Sequence, residues 1–342
     1  MTKWFKQIWS RMTGMVILSM LALTSCVKDD QDDCGLNIRF RYIYNVKNAD
    51  AFQHEVKSIQ LYVFDEDGKL VRTYRDAAPQ FAAGYTMRIP DLKAGKYTLV
   101  CMGRSEMTVD EDDQEFQIAR MAEGDDIEQL TAHLDCDEGI NSHQFAHLYI
   151  GKSTLQYSGN PQNATIDLQK CSNSYRIILL PTHANAQLQA EHYDIKIENG
   201  NSWLDHKGEL LPTPTSGETE SVIHTPYHTE TATNGNTILR EENKDVALIY
   251  DLSSARLFRD DDTQLTITDK RTGKVIFRHS LPWLLSLYGG AQRHESWDDQ
   301  EYLDRQDHYA LTFYVDPAED YHLQAKLKVN GWILNLINDN IK

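Results

Sequence analysis

The chain has 342 residues, with 51 aspartates and glutamates against 34 lysines and arginines, and a formal charge of −17. A surface this acidic repels nucleic acid and anionic lipid headgroups, which excludes nucleic-acid-binding proteins and proteins held to membranes by charge. Hydrophobic residues make up 41% of the chain, which is typical of a globular protein and excludes a disordered polymer.

Residues 1–25 are predicted to form a secretory signal. A basic head containing Lys3, Lys6 and Arg11 precedes the apolar stretch 15–23. That stretch is shorter than the roughly 20 residues of a membrane-spanning helix. The sequence therefore predicts export and not a membrane helix.

The signal ends in Leu23-Thr24-Ser25-Cys26, which resembles a bacterial lipobox. In such a motif the cysteine is diacylated and becomes the first residue of the mature chain. Dual acylation gives stable membrane anchoring where one chain does not. We therefore expect lipidation of Cys26, and the alternative is an ordinary cleaved signal followed by a coincidental cysteine.

Residues 26–35 are predicted to be an acidic tether, since they carry charge without apolar periodicity. The run Val27-Lys28-Asp29-Asp30-Gln31-Asp32-Asp33 resembles the lysine-plus-acidic sequences that send Bacteroides-type lipoproteins to the outer face of the outer membrane. A plain spacer is the alternative. We expect a protein anchored in the cell outer membrane and facing the cell exterior.

The remaining chain is long enough for two domains of about 150 residues. We predict an N-terminal β-sandwich domain over 36–170 and a C-terminal one over 171–342, because strand-like runs fill both. Four cysteines remain after Cys26, namely Cys34, Cys101, Cys136 and Cys171. They contain no CxxC pair, which argues against a zinc cage, and either two disulfides or buried free thiols fit the spacing.

Alternating apolar residues predict most of the strands in the first half. Residues 36–44 begin the series, and 56–64 and 69–74 form a hairpin around the turn Asp65-Glu66-Asp67-Gly68. Further strands are predicted at 85–89, 96–102, 145–150, 153–157 and 164–168. The acidic segment 106–144 is predicted to be a long excursion with one helix, whose apolar face carries Ile127, Leu130 and Leu134.

In the second half, strand patterns recur at 174–180, 193–197, 245–252, 263–268, 274–281, 309–315, 322–329 and after Trp332. The runs 263–268 and 274–281 flank the five-residue loop 269–273, which ends in glycine, and are predicted to form a hairpin. Residues 199–244 are predicted to be mostly loops. The segment Pro282–Gly289 begins with proline and ends with glycine, which predicts a short helix.

No stretch predicts catalysis. His294-Glu295-Ser296-Trp297-Asp298 has aspartate where a zinc protease needs its second histidine. His224 and His228 are four residues apart, but Pro226 lies between them, so we expect solvent-exposed loop histidines. The sequence also lacks a nucleophile elbow and glycine-rich phosphate loops. We predict no catalytic, cofactor-binding or metal-binding residues.

Four aromatic residues, Trp203, Tyr227, Trp297 and Tyr302, are candidates for a sugar-binding platform. In a chain with 10% aromatic residues, most such side chains belong to the core or to strand faces. Two assignments therefore stay open for them, sugar binding and packing.

Several segments in order resemble the fimbrillin-associated anchor proteins of Bacteroides-type bacteria. The segments that carry the resemblance follow the lipobox and span almost the whole mature chain: Cys34-Gly35-Leu36, Asp50-Ala51-Phe52, Leu61-Tyr62-Val63-Phe64-Asp65-Glu66-Asp67-Gly68, Leu148-Tyr149-Ile150-Gly151, Leu252-Ser253-Ser254-Ala255-Arg256-Leu257, Gln300-Glu301-Tyr302-Leu303-Asp304-Arg305 and Asn330-Gly331-Trp332.

The resemblance implies a mainly β fold, with two tandem transthyretin-like or Ig-like β-sandwich domains and few short helices. It also implies a lipoprotein without enzymatic activity that binds fimbrial subunits, holds the fimbrium to the outer membrane and limits its length. Neither nucleic acid nor a small-molecule substrate is expected as a partner. The alternative is a surface-exposed lipoprotein that acts as an adhesin or glycan-binding module.

Such subunits are thought to join by strand donation, which satisfies the open backbone groups of a sheet. We predict that the joint is a groove or the C-terminal strand Trp332–Ile337. The alternative is that this strand only completes the second sandwich. Tyr302, Asp304 and Arg305, like the segment 253–257, are expected to brace the fold and not to bind a ligand.

Overall fold

The computed structural model describes residues 35–107, 116–136, 138–183, 188–199, 201–212, 221–233, 235–242, 244–292, 296–315, 325–329 and 332–336. Strands dominate these residues, which confirms the predicted mainly β fold with few short helices. Among the described residues, no helix combines the length and apolar character needed to cross a bilayer.

The strands in chain order are β1 Leu36–Arg41, β2 Ser58–Phe64, β3 Leu70–Ala77, β4 Thr86–Ile89, β5 Gly95–Arg104, β6 Phe116–Ile118, β7 Ala132–Leu134, β8 Ile140–Asn141, β9 Leu148–Tyr157, β10 Gln162–Asp167, β11 Gln169–Lys170, β12 Ser172–Pro181, β13 Tyr193–Asn199, β14 Trp203–Leu204, β15 Val222–His224, β16 His228–Thr233, β17 Val246–Ala255, β18 Gln264–Asp269, β19 Lys274–Ser280, β20 His308–Val315, β21 Ala325–Val329 and β22 Trp332–Leu336. The α-helices are α1 Phe52–Glu55, α2 Thr237–Glu242, α3 Leu281–Gln292 and α4 Asp299–Arg305.

The first half is a sandwich of a three-stranded sheet, in the order β10-β1-β4, and a five-stranded sheet, in the order β11-β9-β5-β2-β3. The alternation in β1 puts Leu36, Ile38 and Phe40 into the core, where each is at most 1% exposed. They pack against apolar side chains of β2, β5 and β9. Burial of apolar surface between the two sheets stabilises this half.

The second half packs a six-stranded sheet, in the order β16-β17-β12-β20-β21-β22, against a five-stranded sheet, in the order β19-β18-β13-β15-β8. Its core joins strand residues such as Ile177 and Leu311 to Leu284 of α3 and Leu303 of α4. The predicted helix at Pro282–Gly289 is confirmed, and it extends over Leu281–Gln292.

Strands that precede residue 170 pair with strands that follow it. β8 from the first half pairs with β15 of the second, and β14 from the second pairs with β7 in a small third sheet. A third apolar cluster lies between them and contains Leu134, Leu148 and Ile150 together with Leu204 and Ala255. The halves therefore share a core, and the division into two domains at residue 170 stays a prediction.

Both predicted hairpins are confirmed, β2–β3 and β18–β19. The helix predicted within 106–144 is wrong. Residues 127–129 form only a single 3₁₀ turn, closed by a capping box between Asp126 and Gln129, and Leu134 lies in strand β7. Ile127, Leu130 and Leu134 all pack in the third cluster. Ile127 lies in the turn, Leu130 follows it, and Leu134 lies in the strand. Residues 199–244 were predicted to be mostly loops, and the described residues among them include three strands and a helix.

Candidate functional site

The predicted lipidation site, Cys26, lies outside the described residues, as does most of the tether. The described chain begins at Gly35, whose φ of +149° leads directly into β1. β1 is the central strand of its sheet, parallel to β10 on one side and antiparallel to β4 on the other. The tether is therefore attached to a strand that is held on both edges.

The acidic turn after β2 is a hairpin tip. The Asp65 carboxylate accepts hydrogen bonds from the backbone N–H groups of Asp67 (3.0 Å) and Lys69 (2.9 Å). In the part of the chain that the structure describes, no group of three or more histidine, cysteine, aspartate or glutamate side chains is arranged to hold a metal ion.

The expectation for one of the two paired histidines is wrong. His224 lies in β15 and is fully buried, with Asn141 Nδ2 3.2 Å from its Nδ1 and Asn199 Oδ1 3.3 Å from its Nε2. Burial lowers the pKa of His224 to about 3. His228 is exposed, as expected, although it lies in strand β16. His294 lies outside the described residues.

This burial predicts an acid-sensitive fold. Because the pKa of His224 is about 3 in the folded state and about 6.5 in the unfolded state, the unfolded chain binds the extra proton and stability falls as the pH drops between these values. His224→Gln should flatten this slope in urea unfolding measured at several pH values, whereas His228→Gln should leave it unchanged. Equal slopes for all three proteins would contradict the assignment.

The four candidate aromatic residues do not form one platform. Trp203 stacks on His133 in the small third sheet, with ring centroids 4.4 Å apart. Tyr302 is buried in the core of the second half. Trp297 packs against the Arg305 guanidinium at 4.7 Å. Tyr227 is half-buried ahead of β16. Trp297 and Tyr302 therefore serve in packing, which is the second of the two assignments left open by the sequence.

Two segments that are far apart in the sequence meet in a buried ion pair. Arg256 donates two hydrogen bonds to the Asp304 carboxylate, at 2.8 and 2.9 Å, and a third to the carbonyl oxygen of Gly208. Both side chains are less than 10% exposed. The expected bracing role of Asp304 is confirmed, with Arg256 as its partner and not Arg305.

Arg305 joins the two halves instead. Its guanidinium lies over the rings of Tyr44 (4.2 Å) and Trp297 (4.7 Å) and donates a 2.8 Å hydrogen bond to Asn48. Its carbonyl oxygen accepts from the backbone N–H of Val46. The segment 44–48 follows β1, so this contact ties the first sheet to α4.

A buried lysine forms a second link between the halves. The ammonium group of Lys170 is 2.6 Å from Glu55 Oε2 and also contacts the Asp307 carboxylate, while the Tyr149 hydroxyl donates to Glu55. The lysine side chain is only 5% exposed. Burial lowers the pKa of the neighbouring His147 to about 4, and the charge of Lys170 adds to this effect. The two carboxylates offset the cost of removing this ammonium group from water.

The structure shows the thiol state of two cysteines. Cys101 and Cys171 are buried free thiols. Burial raises the pKa of both, that of Cys171 to about 12, which makes them unreactive at neutral pH. Cys34 lies outside the described residues.

The C-terminal strand β22 is the last strand of the six-stranded sheet. It pairs with β21 over five residues, from Val329↔Trp332 to Ala325↔Leu336. Within the described residues, its other edge faces no strand. An edge of this kind presents backbone N–H and C=O groups that a further strand can pair with.

The geometry describes a mainly β protein whose notable polar groups brace the fold. Residues 31–338 match the model of the fimbrillin-A associated anchor proteins Mfa1 and Mfa2. The chain therefore belongs to this family, which confirms the resemblance found in the sequence. A search among curated proteins gives no match.

Solved structures share the fold. A candidate adhesin from Bacteroides thetaiotaomicron is 26% identical, with a TM-score of 0.76, over 89% of this chain and 98% of that chain. A candidate polysaccharide-binding protein from the same organism is 24% identical, with a TM-score of 0.75, over 90% and 99%. The fimbrial anchor protein Mfa2 from Porphyromonas gingivalis is 19% identical, with a TM-score of 0.62, over 88% and 98%. Membership of this family supports a role as a fimbrial accessory protein, and the solved structures show the shared fold.

Proposed function

We propose that this chain anchors a surface fimbrium to the cell and limits its length. Lipid on Cys26 holds it in the outer membrane with its body facing the exterior, and it binds a fimbrial subunit through backbone pairing of the strand-donation type. It acts without catalysis, and it needs neither a cofactor nor a small-molecule substrate. The observation that carries this proposal is the family match over residues 31–338.

The order of parts along the chain supports the anchoring role. The lipobox and the acidic tether precede a strand that is paired on both edges. A central strand cannot leave its sheet without breaking two ladders, so β1 is a poor donor to a neighbour. Strand β22, whose outer edge faces no strand among the described residues, lies near the other end of the chain. This arrangement separates the membrane end from the subunit-binding end.

We propose that β22 is where the fimbrial subunit pairs. An extended segment added to a sheet edge gains main-chain hydrogen bonds along its length. The described edge spans Trp332–Leu336, which is as long as an average strand. The alternative, in which this strand only completes the sheet, predicts a loss of stability and no loss of a partner when it is removed.

The lipid anchor is tested by Cys26→Ser in the full-length protein. We expect the variant to leave the membrane fraction and fimbriae to be shed into the medium, because no acyl chain holds the base of the fimbrium. Cys101→Ser, at a buried thiol, is the control and should stay in the membrane. Normal membrane retention of the Cys26→Ser protein, by fractionation and mass spectrometry, would refute lipidation.

The proposed pairing of β22 with a fimbrial subunit is tested by deleting residues 332–342. We expect a folded, membrane-bound lipoprotein that no longer co-purifies with fimbriae. Deletion of 338–342 alone leaves β22 in place and should preserve co-purification. Unchanged co-purification after the longer deletion would place the joint elsewhere, and an unfolded product in circular dichroism would favour the completing-strand alternative.

A further inference from the structure

We propose that this chain is built to carry tension along its length, and that two ladders of parallel strands, one in each half, resist the pull. The inference rests on the proposed anchoring function, in which the chain is pulled between lipid at Cys26 and a fimbrium at its other end. It adds a mechanical function that the family match does not contain.

The first ladder joins β1 to β10. The two strands are parallel and in register over six residues, from Leu36↔Gln162 to Arg41↔Asp167. The tether enters β1 at its first residue, and the chain leaves β10 at its last residue toward the second half. Because the strands run in the same direction, a pull on the tether and a pull from the second half act in opposite directions along one axis.

This direction of loading puts the ladder in shear. The hydrogen bonds of a parallel pair are evenly spaced along the strands, so sliding one strand past the other strains all of them together. Pulling the same strands apart from one end strains one bond at a time. Forced unfolding is controlled by the unfolding rate, so the loading direction changes the force that the protein bears without changing its equilibrium stability.

Side chains reinforce the first ladder at its far end. Arg41 donates two hydrogen bonds to the Asp167 carboxylate, at 2.7 and 2.9 Å. The backbone N–H of Leu168 donates to the Arg41 carbonyl oxygen at 2.8 Å. The other edge of β1 is held by four antiparallel pairs with β4. Sliding β1 out therefore breaks contacts on both of its edges.

The second half repeats the arrangement. β12 and β20 are parallel and in register over eight residues, from Ser174↔His308 to Pro181↔Val315. The chain enters this half at the start of β12 and leaves the ladder at the end of β20. A pull between residue 171 and the end of β20 therefore shears the second ladder as well.

The connection between the ladders is short and buried. Only residues 168–171 separate β10 from β12, and Leu168 and Cys171 are both 1% exposed. Lys170, between them, contacts Glu55 of α1 and Asp307, the residue just before β20. Load leaving the first ladder thus reaches the second through a segment that is itself held to both halves.

Single-molecule force spectroscopy on the purified mature chain tests the proposal with two pulling directions. In the first, handles are attached at residue 26 and at the C-terminus, which shears the β1–β10 ladder. In the second, handles are attached at residue 26 and at a tag inserted in the turn 158–160, which opens the same ladder from its end. The rupture that frees the first half is identified by its length, about 3.6 Å per residue released.

We expect the rupture force for the first half to be several-fold higher in the first direction. Arg41→Met should lower that force, while Arg271→Met, which removes an ion pair confined to the β18–β19 hairpin, should not. Equal rupture forces in the two directions would overturn the proposal. Since no fimbrium is present in this measurement, its failure is distinct from failure of the anchoring role, which co-purification tests.

Discussion

Replacing Arg256 by methionine is expected to lower the free energy of unfolding by about 3–5 kcal/mol, because it leaves the buried Asp304 carboxylate without its cation. Asp304 is 6% exposed, and Arg256 supplies two of its hydrogen bonds. Water cannot replace the lost partner at that depth. Urea unfolding of the purified chain measures the change.

A matched control is Arg41→Met. Arg41 makes the same two-bond contact with Asp167, but the two side chains are 35% and 48% exposed. Water and salt screen such a pair, so the expected loss is about 1 kcal/mol or less. The double variant Arg256→Met, Asp304→Leu should recover part of the stability lost by Arg256→Met alone. Similar losses for the Arg256 and Arg41 single variants would contradict the role of burial.

Replacing Gly151 by alanine is expected to destabilise the first half by about 1–3 kcal/mol through overpacking. A Cβ atom at this position would lie 2.5 Å from the carbonyl oxygen of Asp167 and 2.8 Å from Ile166 Cγ2 and Leu168 Cδ2. The β9 backbone approaches β10 and the following residues so closely that only glycine fits. Thermal unfolding measures the effect.

Gly103→Ala is the control on the neighbouring strand β5. Its Cβ would meet a side-chain methyl group of Val56 at 3.2 Å and no backbone atom closer than 3.5 Å. A side chain can move by a few tenths of an ångström where a backbone carbonyl cannot, so the loss should be much smaller. Equal melting temperatures for Gly151→Ala and the unchanged protein would show that the two sheets separate easily here.

The Arg256–Asp304 ion pair and Gly151 both lie in segments that carried the resemblance to the anchor family. The segment 252–257 supplies Arg256, and the segment 300–305 supplies both Asp304 and Arg305. The segment 148–151 ends in the glycine that permits close sheet packing. All three lie where parts distant in the chain meet, so each takes part in the assembly of the fold.

Local sequence patterns predicted most strands correctly, but they failed for the segment around Leu130 and for the burial of His224. The alternation in β1 and the turns of the β2–β3 and β18–β19 hairpins depend on neighbouring residues only, so the sequence contains them. The helix predicted around Leu130 was wrong because the same apolar spacing serves a turn followed by a strand once a sheet is available to cover it. His224 was predicted to be exposed because Pro226 indicates a loop, yet β15 passes through the interior.

The sequence by itself determined the β character and the family, and it carries the patterns from which we predict export and lipid on Cys26, because each is encoded in short runs of residues. The tertiary structure alone decided that β1 runs parallel to β10 with partners 126 positions apart in the sequence, that Arg256 pairs with Asp304, and that Lys170 links the halves. Periodicity shows which face of a strand is buried, but it contains no information about which strand lies beside it. Pairing across such distances is decided only when the two sheets of each sandwich pack together.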